Sequence, residues 1–293
     1  MAACAKPHSP WRSTGRDFSD RLLTWHATAE RPLVIRQART PWEILVAEVM
    51  SQQTGIERVG PAWLRFMSVW PTPDLLARAS TRDLLAAWAG LGYNRRALAL
   101  REAARRIRDE HDGEVPRAIE ELDALPGIGA YTARAIAATA FGTVVAPLDV
   151  NVRRVVSRVT GIDPHENGLQ AAADHLVDTN DPRRWLNAVM DLASSTCSKV
   201  DPRCGECPVA DICASRGTSA EPAPPRQALP FPSTTRWLRG RLVATVTHAP
   251  GGAWVALPDR LGVHDTTAIQ AAARSLEAEG FLEIDDGRVR VRE

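Results

Sequence analysis

The sequence predicts an all-α fold followed by a small C-terminal module of two helices and a hairpin. Three observations carry this. Between Ser19 and Cys213 apolar residues recur at three- and four-residue spacings, with little Val/Ile/Thr alternation. Pro and Gly punctuate nearly every junction between those stretches. Near the C-terminus, 281–284 and 288–291 flank Asp285-Asp286-Gly287, a strand–turn–strand pattern.

The predicted helices are 42–53, 61–69, 81–89, 95–111, 118–124, 130–141, 150–160, 169–178 and 183–196, then 236–247 and 266–279. Residues 215–232 hold five prolines with Ser, Gly and Ala, which reads as a linker. The chain therefore divides into a tail, 1–17, a helical core, 18–214, the linker, and a winged-helix-like module, 233–293. The composition, 44% hydrophobic and 24% charged, is globular. No run of about 18 apolar residues occurs, which excludes a membrane-spanning helix. Met1 to Trp11 has no apolar signal region, so the predicted compartment is cytoplasmic. The net charge of +1 neither demands nor excludes a nucleic-acid partner. Of 36 basic residues only Lys6 and Lys199 are lysines. Schiff-base chemistry needs a desolvated lysine amine, so that mechanism is disfavoured.

Cys197, Cys204, Cys207 and Cys213 are spaced C-x6-C-x2-C-x5-C. Disulfides are disfavoured without an export signal. Structural zinc more often uses two C-x2-C pairs on separate knuckles. Four thiolates in one short loop better suit a [4Fe–4S] cluster. Cys4 is left over as a free thiol.

Leu125-Pro126-Gly127-Ile128-Gly129 sits between two helical stretches. Two glycines there are expected to take positive φ, with the next helix beginning at Ala130. Such a turn can be a plain connector, or it can hold a phosphate on its N–H groups. Arg95, Arg96, Arg101, Arg105 and Arg106 nearby favour the second reading. Two carboxylates stand out as well. Glu48 shares a stripe with Ile44, Leu45, Val49 and Gln52, so burial there would favour its protonated, proton-donating form. Asp149 stands just before helix 150–160, in the N-cap position, with Asn151 within reach. A helix N-terminus favours the ionised form. One protonated and one ionised carboxyl is the pairing used to break glycosidic bonds.

These elements in this order resemble the helix-hairpin-helix DNA glycosylases, and within them the MutY-type adenine DNA glycosylases. The matching pieces are Ala47 to Thr54, Gly90-Leu91-Gly92-Tyr93, the 125–129 hairpin with Tyr131, Leu148 to Val152, Met190-Asp191-Leu192 and the four cysteines. The resemblance implies a two-lobed glycosylase core with a [4Fe–4S] loop, acting as a monomer on duplex DNA that carries a mismatched or damaged base. Glu48 would protonate a purine ring nitrogen, Asp149 would stabilise the oxocarbenium-like sugar, Asn151 would orient it and Tyr131 would assist. Gln53 and Tyr93 would wedge into the duplex. Gly127 and Gly129 would grip the backbone, where the family also allows a monovalent cation. Arg36 and Asn187 would line the base pocket. Endonuclease III-like members that also cut the backbone carry lysine where this chain has Tyr131, so a monofunctional enzyme is expected.

The chain departs from the pattern at Val34 and Ile35, at Asn94, at Leu186 before Asn187, and at Ala193 after Leu192. The long C-terminal domain that reads 8-oxoguanine is replaced by about 60 residues similar to the short tail of actinobacterial members. Adenine opposite 8-oxoguanine or guanine is thus the leading substrate. The alternatives are a thymine or uracil mismatch glycosylase, an enzyme for another damaged purine, and a DNA-binding protein that has lost catalysis.

Overall fold

The computed structural model describes residues 15–218 and 229–292. Cys4, Lys6 and most of the predicted tail and linker lie outside them. Within the described residues the helices run α1 Gly15–Ala29, α2 Pro41–Ser51, α3 Ile56–Val69, α4 Pro73–Ala77, α5 Thr81–Ala87, α6 Arg95–Glu110 and α7 Ile119–Asp123. They continue as α8 Ala130–Phe141, α9 Val150–Thr160, α10 Gly168–Leu176, α11 Pro182–Ser195, α12 Thr235–Thr247 and α13 Thr266–Ala278. The short strands are β1 Val255–Ala256, β2 Arg260–Leu261, β3 His264–Asp265, β4 Leu282–Asp285 and β5 Arg288–Val291. No helix is long and apolar enough to cross a membrane.

Helices α8 and α9 begin and end where local chemistry dictates. Asp149 caps α9 with its side chain, while Gly142 and Gly161 close α8 and α9 in the left-handed conformation at φ 67° and 73°. Two helices, α1 and α4, escaped the periodicity reading. Helix α3 starts five residues before the expected Pro61. Gly55 occupies its N-cap, and Pro61 lies exposed inside it, where the unpaired carbonyl it creates can face water.

The chain forms two units. The first comprises Met1–Ile44, Arg117–Ala124 and Ile128–Pro224. Its core gathers Phe18 and Leu22 of α1, Val152, Val155 and Val156 of α9, and Trp185, Val189 and Leu192 of α11, all nearly inaccessible. The valines repeat at three- and four-residue spacing, so one face of α9 is buried and its N-terminus is held in place. Each such side chain contributes about 1.5–3 kcal/mol of burial.

The second unit comprises Leu45–Pro116, Leu125–Gly127 and Pro225–Glu293. Helix α6 buries Ala97, Leu100, Ala104 and Ile107 and packs along α4. The C-terminal segment builds its core from Leu238, Leu242, Ile269, Leu276, Phe281, Val289 and Val291, and Leu85 of α5 joins them. Its sheet is antiparallel in the order β1-β5-β4, with Ile284 opposite Val289 and Asp285 opposite Arg288. Asp286 and Gly287 make the two-residue turn with positive φ, 43° and 70°, as the Asp-Gly pair anticipates. Strand β1 was not foreseen, and pairs β2 and β3 form a separate two-stranded ribbon.

Candidate active site and nucleic-acid interface

In the first unit Asp149 is half-buried and fully engaged by neutral donors. Its Oδ1 accepts the backbone N–H groups of Asn151 at 2.8 Å and Val152 at 2.7 Å. Its Oδ2 accepts the Asn151 side-chain amide at 2.8 Å. The amide oxygen of Asn151 accepts from Arg154 Nη1 at 3.2 Å. Arg154 in turn donates to the carbonyls of Cys197 and Ala193, both at 2.9 Å. This orients the Asn151 amide so that its N–H points at the carboxylate. A carboxylate so held is fixed in direction. Tyr131, one residue into α8, is half-buried and packs against the same core.

The four cysteines, all unpaired, line one small cavity. Arg158 Nη1 lies 3.3 Å from Cys197 Sγ, and the Gly217 N–H donates to Cys204 Sγ at 3.4 Å. Burial pushes the Cys207 thiol up to about 11, with the neighbouring cysteines adding to it, and Cys213 moves the same way by burial. Among the described residues no three His, Cys, Asp or Glu side chains converge as ligands of one ion. Four thiols around a shared cavity, with N–H donors aimed at two sulfurs, fit a multi-iron group that would take them as thiolates.

Arg36 was expected to line a base pocket, but its guanidinium is committed elsewhere. Nη1 and Nη2 bind Asp191 Oδ2 and Oδ1 at 2.9 and 2.8 Å. Asp191 also bonds His26 Nε2 at 2.9 Å and the Arg31 N–H at 3.2 Å, and both Asp191 and His26 are 1% exposed. Burial alone would raise the Asp191 carboxyl, yet the bonds from Arg36, Arg31 and His26 outweigh it and hold the group below its ordinary range. Arg36 therefore braces the Val34–Gln37 turn to α11. Asn187 is half-buried, and its carbonyl lies 3.5 Å from Arg36 Nη2, while Leu186 is buried in the core.

In the second unit Glu48 is half-buried on α2. Its neighbours Leu45, Val46, Ala47, Val49 and Met50 are all at most 5% exposed, so α2 is buried on most sides rather than along one stripe. Gln53 and Tyr93, the expected wedges, both adopt the left-handed conformation, φ 52° and 48°, which side chains rarely take. Both are exposed. Asn94 follows Tyr93 as the N-cap of α6 without a side-chain cap bond.

What holds these two strained turns is Arg96, one of the arginines whose nearness favoured a phosphate-holding hairpin. It is 9% exposed and donates to the carbonyls of Val49, Met50, Leu91 and Gly92 at 3.0–3.1 Å, to that of Gln52, and to Thr54 Oγ1 at 2.9 Å. Burial lowers its guanidinium to about 10. Arg101 and Arg105 are likewise tied to backbone, at the carbonyls of Ala79 and Ala77. Arg95 and Arg106 stay exposed. No sequence signal separated these classes.

At the hairpin only Gly127 has positive φ, 79°. Gly129 is extended, φ −104° and ψ 174°, because it serves as the N-cap of α8. A Cβ at Gly127 would lie 2.9 Å from that of Ala99, so close approach also demands glycine. Gln52 Nε2 donates to the Gly127 carbonyl at 3.1 Å.

Residues 46–178 match the model of the HhH-GPD superfamily base excision DNA repair proteins. An adenine DNA glycosylase of Mycobacterium tuberculosis is 38% identical over 277 residues, covering 91% of both chains. A thermostable thymine-DNA glycosylase has a similar fold, with TM-score 0.66 and 26% identity over 70% of this chain and 97% of that one. So does an endonuclease III–DNA complex, with TM-score 0.60 and 24% identity over 70% of this chain and 95% of that one.

Proposed function

The chain belongs to the adenine DNA glycosylases of the HhH-GPD superfamily, and from that premise we propose that it hydrolyses the N-glycosidic bond of a flipped adenine lying opposite 8-oxoguanine or guanine in duplex DNA. The observation that carries the mechanism is the Asp149 carboxylate, held on both oxygens by neutral donors at a helix N-terminus. Its negative charge is left for the sugar cation that develops as the base departs. Glu48 gives its proton to a purine ring nitrogen, the bond to C1′ breaks with its electron pair on the base, and water adds to C1′ while its proton returns to the Glu48 carboxylate. Asn151 fixes the direction of the carboxylate and Tyr131 lines the sugar side. Gln53 and Tyr93, held in strained turns by Arg96, enter the duplex where the base leaves, and Gly127 and Gly129 bring the hairpin to the backbone. With tyrosine at position 131, the enzyme leaves an abasic strand intact.

Cys197, Cys204, Cys207 and Cys213 hold a [4Fe–4S] cluster in this reading. When bound, such a cluster would cross-link the loop through its four thiolates. Purified protein should be brown and contain about four irons per chain; a colourless, folded preparation with zinc would sink the assignment.

The test of function is a single-turnover panel of A, T and U opposite G and 8-oxoguanine. Adenine release is expected, with the strand cut only after alkali. Glu48→Gln should bind duplex but lose about 10²–10⁴-fold in excision. A second reading, thymine or uracil excision, is supported by Tyr131 and the four cysteines, which such enzymes can share, and by the thymine-DNA glycosylase fold likeness. T or U release without A release would select it.

A further inference from the structure

Within the second unit, α12 and the turn that carries Tyr93 enclose a cleft of about 840 Å³. Its lining holds six arginines and, among the described residues, no carboxylate. Of the six, Arg96 is buried among carbonyls, Arg239 pairs with Glu279 at 2.8 Å, and Arg95, though exposed, lies 3.7 Å from that same carboxylate, which is outside the lining. Arg58, Arg95, Arg236 and Arg241 point exposed side chains around the opening.

Aromatic faces alternate with these charges. Tyr93 and Phe231 are 40% and 55% exposed. The Arg236 guanidinium lies 4.2 Å over the Tyr93 ring and donates to its hydroxyl at 2.9 Å. It also lies 5.7 Å from the Phe231 ring. In the wall between Arg236 and His248, α12 presents two small residues at four-residue spacing to the cleft, Gly240 and Ala244, beside the larger Trp237 and Val243. A Cβ placed on Gly240 would meet nothing within 4 Å, so nothing in the packing requires glycine there. Glycine inside a helix is unfavourable by about 1 kcal/mol against alanine, and here its effect is to keep the wall open.

A cationic groove with exposed aromatic faces and a low wall matches a sugar-phosphate strand with partly unstacked bases. We propose that this cleft is a DNA-strand groove, in which α12 holds a phosphodiester run of the substrate beside the turn bearing Gln53 and Tyr93. The C-terminal segment is thereby part of the DNA-binding surface, and Arg236 links its grip to the position of Tyr93. The proposal rests on DNA being the substrate.

The test uses full-length protein and a short undamaged duplex, with affinity read by fluorescence anisotropy across a salt series. Arg241→Gln should weaken binding and reduce the slope of log K against log salt by about one, the signature of a lost phosphate contact. Gly240→Glu places a carboxylate in the groove and should weaken binding about tenfold or more, whereas Gly240→Gln, of similar bulk, should lose much less. Both Gly240 variants should melt at or above the wild-type temperature, since glycine is the poorer helix former. Arg274→Gln, an exposed arginine of α13 away from the cleft, should bind as wild type does. Wild-type affinity and slope for both Arg241→Gln and Gly240→Glu overturn the groove, and so does an equal loss from Arg274→Gln. A wild-type protein that releases no adenine, yet shows the expected variant pattern, overturns the proposed reaction and leaves the groove standing.

Discussion

Asp149 and Asp191 belong to the same unit, and both have hydrogen bonds on each carboxylate oxygen, yet they are built for opposite ends. Asp149 is half-buried and met by two peptide N–H groups and one amide. Asp191 is 1% exposed and met by the whole fork of Arg36, by His26 and by a peptide N–H. Neutral donors orient a charge without cancelling it, which in the proposed reaction leaves Asp149 able to act on a cation that forms beside it. A guanidinium cancels the charge it orients, and Asp191 is left with a purely cohesive role, joining α1, the Val34–Gln37 turn and α11. Partner chemistry, more than the number of partners, separates the two.

The sharpest way to break this comparison is to delete the cohesive carboxylate. Asp191→Ala leaves the largely buried Arg36 with only the carbonyls of Arg31 and Asn187 and, at 3.7 Å, the exposed Glu30 as partners, and should cost about 3 kcal/mol in urea unfolding. Next comes Asp149, the carboxylate that the proposed reaction uses. Asp149→Asn should slow single-turnover excision by about 10²–10³-fold, because it removes charge while the shape stays. Normal excision by that variant would demote Asp149 to a helix cap. Asn151→Ala removes one hydrogen bond to a charged group, about 1.5–3 kcal/mol. It should act mainly on the excision rate rather than on duplex binding, and restoring an amide as Gln should recover part of the rate.

Acid offers a gentler contrast. Asp191 is held below its ordinary range, so its contribution to stability is complete above an unfolded value near 4 and is lost as pH falls through the lower folded value. Stability measured from pH 5 down should therefore decline less steeply in Asp191→Asn than in wild type; equal slopes would remove Asp191 from the acid response. The smallest effect is the stability of Asp149→Asn. As asparagine is an equally good cap, it should change by only a few tenths of a kcal/mol, and a large loss would mean that the cap, not the charge, is what this position supplies.

Much of the fold was legible because its signals are local. Helices α8 and α9 fell within their expected bounds, since Asp149 caps one start and Gly142 and Gly161 close the ends. The Asp149–Asn151 arrangement was legible for the same reason, two residues apart on one turn. The short helix α4 carries too few turns to show a period. The reading of Gly129 as a second positive-φ glycine missed because glycine is equally at home as an extended N-cap.

By itself, then, the sequence determined the helical class, the C-terminal hairpin, the cap geometry of Asp149 and the pattern of four cysteines, all set by residues within a few positions of one another. Only the tertiary structure decided which arginines are structural and which are exposed. Arg36 meets Asp191 across 155 residues, and Arg96 meets the carbonyls of Val49 and Met50 across more than forty. An arginine has the same sequence signature whether its guanidinium faces water or a ring of carbonyls. The difference is made by burial, which turns unpaired backbone oxygens and unpaired charges into costs that only a distant partner can relieve.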